Sequence, residues 1–267
     1  MSGILRRLEY LYHELRGHVQ YRGEYASWND ALASSEGYDD PRILERVAKA
    51  SRTVINGDAA FERDGVVFKE HLKTNKLLDA LKTITPTTTG KLEVLDFGGS
   101  LGSSYFQCKP FLQSQFDLQW NIIEQSAFVK LGKAEFANQQ LRFFDTVETC
   151  LAQREVDVFV LSGVLSYLPT PHKMIKDLLR HRPKIFIIDR TPVQHNGSQD
   201  RLTVQHVPAN IYGKSVRYPA WVFSKTGLLK HFDNYELRSE FDALSGRILL
   251  TADEAKDTGF VFVQRSH

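Results

Sequence analysis

The sequence predicts an α/β protein with a doubly wound, mainly parallel Rossmann-like sheet. Between residues 91 and 189, short apolar runs alternate with segments that carry helix-start signals or helical spacing, which is typical of strand–helix–strand units. A glycine-rich turn also follows one of these runs directly, at Gly98-Gly-Ser-Leu-Gly102. A strand, a tight turn and a helix start in succession are the arrangement that lets a backbone close on a nucleotide-like ligand.

Four apolar runs are predicted as the parallel strands, and a polar residue stands at the end of each. The runs cover residues 92–95, 118–123, 157–161 and 185–188, and the polar residues are Asp96, Glu124, Ser162 and Asp189. Helices are predicted near 103–106, limited by Pro110, after a capping box at Asp145–Glu148, and from Thr170-Pro171 onward. Because ligands bind at the carboxyl ends of such strands, these four residues mark the expected site.

The first 85 residues are predicted to form an N-terminal helical cap or lid. Apolar residues at helical spacing run from Ile4 to Leu15, Asp40-Pro41 begins a second helix that Gly57 ends, and a further helix covers 72–84. Aromatic residues between Tyr21 and Tyr38 fit either packing anchors or a lid over a ligand. The linker-like segment 85–90 separates this cap from a Rossmann-like domain at 90–267.

The last part of the chain has a different pattern. Residues 190–224 show no clean period and are predicted to be a long insertion. Apolar runs at 235–241, 247–250 and 260–263 then follow without helices between them. They predict an antiparallel edge on the C-terminal side of the sheet.

The composition favours a water-soluble protein and argues against several classes of partner. A net charge of +2 over 267 residues gives no reason to expect nucleic-acid binding. Two cysteines suggest a reducing compartment, and no apolar run is long enough to span a bilayer. We therefore expect a cytoplasmic protein without a signal peptide or stable membrane insertion, with peripheral membrane contact by residues 1–20 as an alternative.

The residues around the turn indicate the kind of ligand. An acidic residue, Asp96, precedes the glycines, where it would repel a phosphate but suits a cationic amino group. This favours S-adenosylmethionine over a dinucleotide, although a turn that merely needs positive φ angles would look the same. Glu124 follows the next strand, where a carboxylate can accept hydrogen bonds from ribose hydroxyls. The alternative for Glu124 is a helix-capping acid.

Three stretches together resemble the class I S-adenosylmethionine-dependent methyltransferases: VLDFGGSLG, Glu124 after the second strand, and VDVFVLSGVLSYLP. The chain is most similar to a subgroup often associated with bacterial surface-polysaccharide gene clusters, through YASWNDALASSEGYDDP, LDFGGSLGSSYFQ, DRTP and RLTVQ. The resemblance implies the fold, the cofactor and methyl transfer. One difference is Ser100, which stands where the turn of the family has its middle glycine.

The resemblance also implies roles for individual residues. The residues at the amino-acid end of the cofactor would be Asp96, Gly98, Gly99, Ser100 and Gly102. Glu124 would bind the ribose. Ser162 would bind the cofactor at the start of a segment that reaches Tyr167 and lies beside the cofactor and the acceptor. No metal is expected.

The acceptor is predicted from the segment after the last parallel strand. An oxygen acceptor needs a base, for which Asp189 and His195 are the candidates, and Arg190 or Arg201 could clamp an anionic group. Each of these also fits an ordinary surface residue. The expected reaction is O-methylation of a sugar, glycan precursor or other small hydroxylated acceptor. A catalytically silent S-adenosylmethionine-binding module and a nicotinamide-dependent oxidoreductase or epimerase are the alternatives.

Overall fold

The structure is a computed structural model, which describes residues 19–35, 41–71, 75–84, 90–194, 196–209, 215–244, 248–250 and 254–265. The predicted helix from Ile4 to Leu15, the segment at 85–89 and the candidate base His195 lie outside these ranges.

A parallel sheet forms the centre of the molecule and confirms the predicted fold class. Its strands are β4 (Lys91–Phe97), β5 (Asp117–Ile123), β6 (Leu141–Phe144), β7 (Val158–Ser162) and β8 (Ile185–Gln194). They lie in the order β6-β5-β4-β7-β8. The chain therefore adds β5 and β6 on one side of β4 and then returns to add β7 and β8 on the other side, as in a doubly wound Rossmann sheet. The point where the direction reverses lies between β4 and β7.

Helices cover both faces of this sheet. On one face lie α2 (Pro41–Ile55), α3 (Lys76–Lys82), α4 (Ser103–Leu112) and α5 (Ser126–Leu131), with a π-helical turn at Gly132–Phe136. On the other face lie α6 (Val147–Leu151), α7 (Pro171–Leu179) and α8 (Lys225–Leu229). Strand β4 contributes to both cores, because Leu92 and Val94 point to the first face and Leu95 to the second. All three side chains are fully buried.

Two of the predicted helix boundaries were wrong. Helix α4 continues two residues beyond Pro110, although proline removes the hydrogen bond to the Phe106 carbonyl. The buried side chains of Cys108 and Leu112 hold this last turn against the core. Helix α6 has Thr146 as its N-cap, and the capping box is formed with Thr149 instead of Asp145 with Glu148.

The predicted antiparallel edge is present. Strand β13 (Glu254–Gln264) runs antiparallel to β8, and β11 (Tyr235–Asp242) and β12 (Ile248–Leu249) pair with β13. Strand β13 is much longer than the predicted 260–263. Strand β8 also continues to Gln194 beyond its predicted end at Ile188, with Arg190 at φ +50°.

Segment 190–224 holds regular structure, although its sequence shows no clean period. It contains β9 (Arg201–Val207) and β10 (Val216–Ser224), which form an antiparallel pair. The alternation of apolar and polar residues is hidden on β9, because the polar residues Thr203 and Gln205 are both buried. β10 joins the end of β8 in parallel, and β1 (Gln20–Arg22) pairs with β9. That the segment is an insertion in the domain stays a prediction.

The N-terminal part is not purely helical. After β1 and the short helix α1 (Trp28–Ala33), α2 leads into a hairpin of β2 (Phe61–Arg63) and β3 (Val66–Phe68). Its two-residue loop, Asp64-Gly65, has positive φ at both positions, as the favoured hairpin turn requires. Tyr25 and Trp28 pack against a cluster with Leu202 and Val204 of β9. The division into a cap at 1–85 and a domain at 90–267 stays a prediction.

A buried ion network fixes β4 at the end of the sheet opposite its carboxyl edge. The Glu93 carboxylate is 1% exposed. Arg154 Nη2 donates to it at 2.9 Å, Asn121 Nδ2 at 3.1 Å, and Lys91 Nζ lies 2.6 Å away. Burial opposes the charged form, but the hydrogen bonds from these three partners prevail and lower the pKa of Glu93.

We expect Arg154→Met to lower the free energy of unfolding by about 2 kcal/mol at neutral pH, because Glu93 loses the guanidinium that donates to both of its carboxylate oxygens. A glutamate with a lowered pKa stabilises the fold above its ordinary pKa, and this contribution is lost as the pH falls through the folded value. The difference between variant and wild type should therefore shrink in acid. Denaturant unfolding measures it, with the exposed Arg180→Met as control; equal losses in both variants would contradict this role.

Candidate functional site

The turn after β4 is closed tightly against its neighbours. The Gly98 N–H donates to the Ile123 carbonyl at 2.9 Å and so ties the turn to the end of β5. Gly98 has φ +74°, and a Cβ there would lie 2.4 Å from Cγ2 of Val164, just after β7. No side chain fits at that distance. The turn therefore connects the carboxyl ends of β5, β4 and β7 at the point where the sheet reverses direction.

Glu124 holds the turn from the β5 side. Its Oε1 accepts the Ser100 N–H at 3.2 Å, and its Oε2 accepts the Gln125 N–H at 2.8 Å. Burial raises the pKa of Glu124, while these two bonds oppose the rise. Each carboxylate oxygen has a further lone pair for a ligand hydroxyl. The contact with Gln125, which precedes α5, fits the helix-capping alternative, and the contact with Ser100 places the same carboxylate beside the turn.

Asp96 lies beneath the turn. Its side chain is 1% exposed, and a Cβ on Gly99 would lie 2.7 Å from its Cγ. Oδ2 accepts the Trp120 indole N–H at 3.0 Å, whereas Oδ1 is buried without a hydrogen-bond partner. Burial is the main cause that raises the pKa of Asp96 to about 7. The carboxylate supports the turn from below, and its contact with the cofactor stays a prediction.

The pKa of Asp96 predicts a distinctive pH dependence of stability. A carboxyl whose pKa rises from 3.8 to about 7 on folding prefers the proton in the folded state. The protonated carboxyl therefore stabilises the fold below pH 3.8. This stabilisation, up to about 4 kcal/mol, is lost as the pH rises through 7. Asp96→Asn cannot titrate, so the wild type should lose stability relative to this variant between pH 4 and 8. Denaturant unfolding measures the free energy of unfolding of both proteins at each pH. The same pH dependence in the wild type and the variant over that range would contradict the assignment.

A second polar group lies at the ends of β7 and β8. Ser162 Oγ donates to Asp189 Oδ2 at 2.5 Å, and Arg190 donates from Nε to Ser162 Oγ at 3.1 Å and from Nη2 to the Ser162 carbonyl at 3.2 Å. Asp189 is 5% exposed, and burial raises its pKa despite the opposing charge of Arg190. The positive φ of Arg190 turns its side chain back onto β7. These three predicted residues are therefore brought together.

A small cavity that is partly open to solvent lies beside this group. Ser162, Asp189 and Arg190 line it from the sheet, and Ser103, Ser104 and Gln107 line it from α4. Glu62 and Arg63 of hairpin β2–β3 line it from above. Sequence reasoning missed both hairpin residues. The Asp64-Gly65 pair between apolar runs was the available signal, since it is a strong mark of a two-residue hairpin.

The structure separates the other predicted residues from this cavity. Tyr167, in a 3₁₀ turn at Leu165–Tyr167, donates to Gln205 Oε1 at 2.9 Å and meets the Tyr218 ring edge-on at 5.3 Å. Arg201 begins β9 and does not line the cavity.

In the described ranges, no group of three or more His, Cys, Asp or Glu side chains is arranged to hold a metal ion. No helix in the same part of the chain is long and apolar enough to cross a membrane.

The chain was compared with known proteins. No family model matches it, and no curated protein matches. Among solved structures, it is similar to the N-terminal domain of EvdMO1 with S-adenosylhomocysteine and D-fucose, at 18% identity over 86% of this chain and 100% of that one, with a TM-score of 0.47. It is also similar to magnesium protoporphyrin IX methyltransferase from Synechocystis PCC 6803 with S-adenosylmethionine, at 13% identity over 86% of each chain and a TM-score of 0.44.

A third similar structure is described as a pericyclic reaction enzyme, with 11% identity, 83% of this chain and 55% of that chain covered, and a TM-score of 0.50. This chain thus spans about half the length of that enzyme. At such identities the likeness shows a shared fold. The likeness to this third structure agrees with the observed strand order of a Rossmann-like α/β fold.

Proposed function

We propose that this chain is an S-adenosylmethionine-dependent methyltransferase. The observation that carries the proposal is the contact of Glu124 with the glycine turn at the reversal point of the sheet. A doubly wound sheet binds its ligand there, and a carboxylate at the end of the next strand suits ribose hydroxyls. The similar structures with bound S-adenosylmethionine or S-adenosylhomocysteine support the same cofactor.

The charges around the turn favour this cofactor over a dinucleotide. Asp96 lies directly below the glycines and Glu124 beside them. Once it is ionised, above pH 7, the Asp96 carboxylate would repel a pyrophosphate that lay along the turn and would attract an ammonium group. This argues against the nicotinamide-dependent alternative. The catalytically silent alternative differs only in turnover.

The residues of the site fit the cofactor in three places. Glu124 would accept from the ribose, the backbone of Gly98–Gly102 would lie along the amino-acid end, and the segment from Ser162 to Tyr167 would lie beside the cofactor and the acceptor. The bound cofactor supplies an electrophilic methyl group. The protein contributes mainly by orienting an acceptor atom toward that methyl and by excluding water.

The acceptor is proposed to be a sugar, glycan precursor or other small hydroxylated molecule, methylated on oxygen. The hydroxyl must lose a proton, and Asp189 is a suitable base because its raised pKa brings it nearer to neutral pH. It lines the cavity, and Ser162 and Arg190 fix its position. His195 remains a second candidate base, and Arg201 a candidate clamp for the acceptor. The resemblance to the polysaccharide-associated subgroup supports this class of acceptor.

We expect Glu124→Gln to weaken S-adenosylhomocysteine binding about ten- to a hundred-fold, because the amide replaces a charge-assisted acceptor with a weaker one. Isothermal titration calorimetry measures the affinity. Glu148→Gln, on a side chain that is 74% exposed, is the matched control and should bind as the wild type does. Wild-type affinity in Glu124→Gln would remove this carboxylate from the cofactor site.

We expect Asp189→Asn to lower turnover about 100-fold or more while cofactor affinity stays unchanged, if Asp189 is the base. Turnover is measured as S-adenosylhomocysteine release on a panel of sugars and sugar derivatives. In the wild type it should rise with pH as Asp189 loses its proton, and this rise should disappear in the variant.

His195→Ala separates the two candidate bases in the same assay. Arg201→Ala should raise the KM of the acceptor and leave kcat unchanged. Normal turnover in all three variants would show that the proton leaves by another route.

A further inference from the structure

Arg63 is a half-buried cation without a counter-ion. Within the described part of the chain its guanidinium makes no hydrogen bond and no ion pair. It lies over the Phe61 ring as a cation–π contact, with 5.8 Å from Cζ to the ring centroid. Burial, followed by the charge of Arg190, lowers the pKa of Arg63. A guanidinium in this position lacks the partner that buried arginines normally have.

Arg63 differs in this respect from the other charged residues around the cavity. Glu62 accepts from Ser103 Oγ and from the Gly65 N–H, Arg190 donates twice to Ser162, and Asp189 accepts from Ser162. Lys76 Nζ lies 3.8 Å from Asp79 Oδ2. Among the charged side chains of the described cavity wall, the guanidinium of Arg63 is therefore the one with neither a hydrogen bond nor an ion pair.

The position of Arg63 is rigidly defined. It is the last residue of β2, next to the Asp64-Gly65 turn, and it pairs with Val66 of β3. Its neighbour Glu62 is 2% exposed and links the hairpin to Ser103, the first residue of α4. The stacked rings of Phe61 and Phe68, 4.6 Å apart, hold the base of the hairpin. The hairpin therefore holds the backbone of Arg63 in a fixed place on the cavity wall.

The donors of Arg63 suit an anion. The carboxylates of Asp64, Asp189 and Glu62 partly oppose the lowering of the pKa of Arg63, though none of them lies within ion-pair distance. A guanidinium also matches a carboxylate with two parallel hydrogen bonds.

We propose that Arg63 binds a carboxylate of a small ligand that enters the cavity. That carboxylate has two sources: the amino-acid end of the cofactor, or an acidic acceptor such as a uronic acid. The first source rests on the proposed function, and the second does not. In either case hairpin β2–β3 carries a ligand-binding residue as well as forming the upper wall of the cavity.

Calorimetry on the full chain tests the proposal with two pairs of probes. S-adenosylhomocysteine is compared with its counterpart in which hydrogen replaces the carboxylate, and D-glucuronate is compared with D-glucose. The variants are Arg63→Gln, Arg63→Lys, which keeps the charge without the planar fork, and Arg180→Gln as control. The Arg180 side chain is 79% exposed and does not line the cavity.

If the cofactor supplies the carboxylate, the wild type should prefer S-adenosylhomocysteine over its counterpart by about ten- to a hundred-fold. Arg63→Gln should lose this preference, Arg63→Lys should keep part of it, and Arg180→Gln should keep all of it. If the acceptor supplies the carboxylate, the same pattern should appear for glucuronate over glucose.

A preference for both carboxylates that survives in Arg63→Gln would overturn the proposal, as would a wild type with neither preference. A wild type that does not bind S-adenosylhomocysteine at all would instead refute the proposed function, and the glucuronate pair would still decide the role of Arg63. The melting temperature of each variant shows whether it is folded, and Arg63→Lys serves if Arg63→Gln is not.

Discussion

The contact between the glycine turn and its three neighbouring strands is the constraint on which the site depends. Gly98 bonds to the end of β5 and lies too close to Val164 for any side chain. Ser100 bonds to Glu124, and Asp96 lies directly below. Because these contacts involve strands on both sides of the reversal point, the turn takes this arrangement only when β4, β5 and β7 lie side by side. The fold and the site are therefore built together.

A second constraint acts at Arg190. Its positive φ lets β8 pass from the parallel sheet to its pairing with β10, and turns the guanidinium back onto Ser162. A residue that is rarely favourable in this conformation is held by its own side-chain hydrogen bonds. One position thus orders Asp189 and also sets the direction in which β8 continues to its pairing with β10.

The parallel sheet could be predicted because its strands are buried on both faces and therefore read as continuous apolar runs. Glu124 could be predicted because its place at a strand end follows from the strand itself. Strand β9 could not be predicted in the same way, because its buried polar residues Thr203 and Gln205 hide the alternation of apolar and polar side chains. The position of Arg63 depends on how a hairpin folds back over α4, which no local pattern encodes. The unpaired state of its guanidinium is visible only in the assembled cavity.

The electrostatic character of the turn is the central claim, and direct binding of the unmodified chain to two cofactors tests it best. Above pH 7, calorimetric titration with S-adenosylmethionine should give a dissociation constant in the micromolar range, and titration with NAD should give no measurable binding, because the ionised Asp96 carboxylate below the turn disfavours its pyrophosphate. NAD binding as tight as or tighter than S-adenosylmethionine binding would contradict the account.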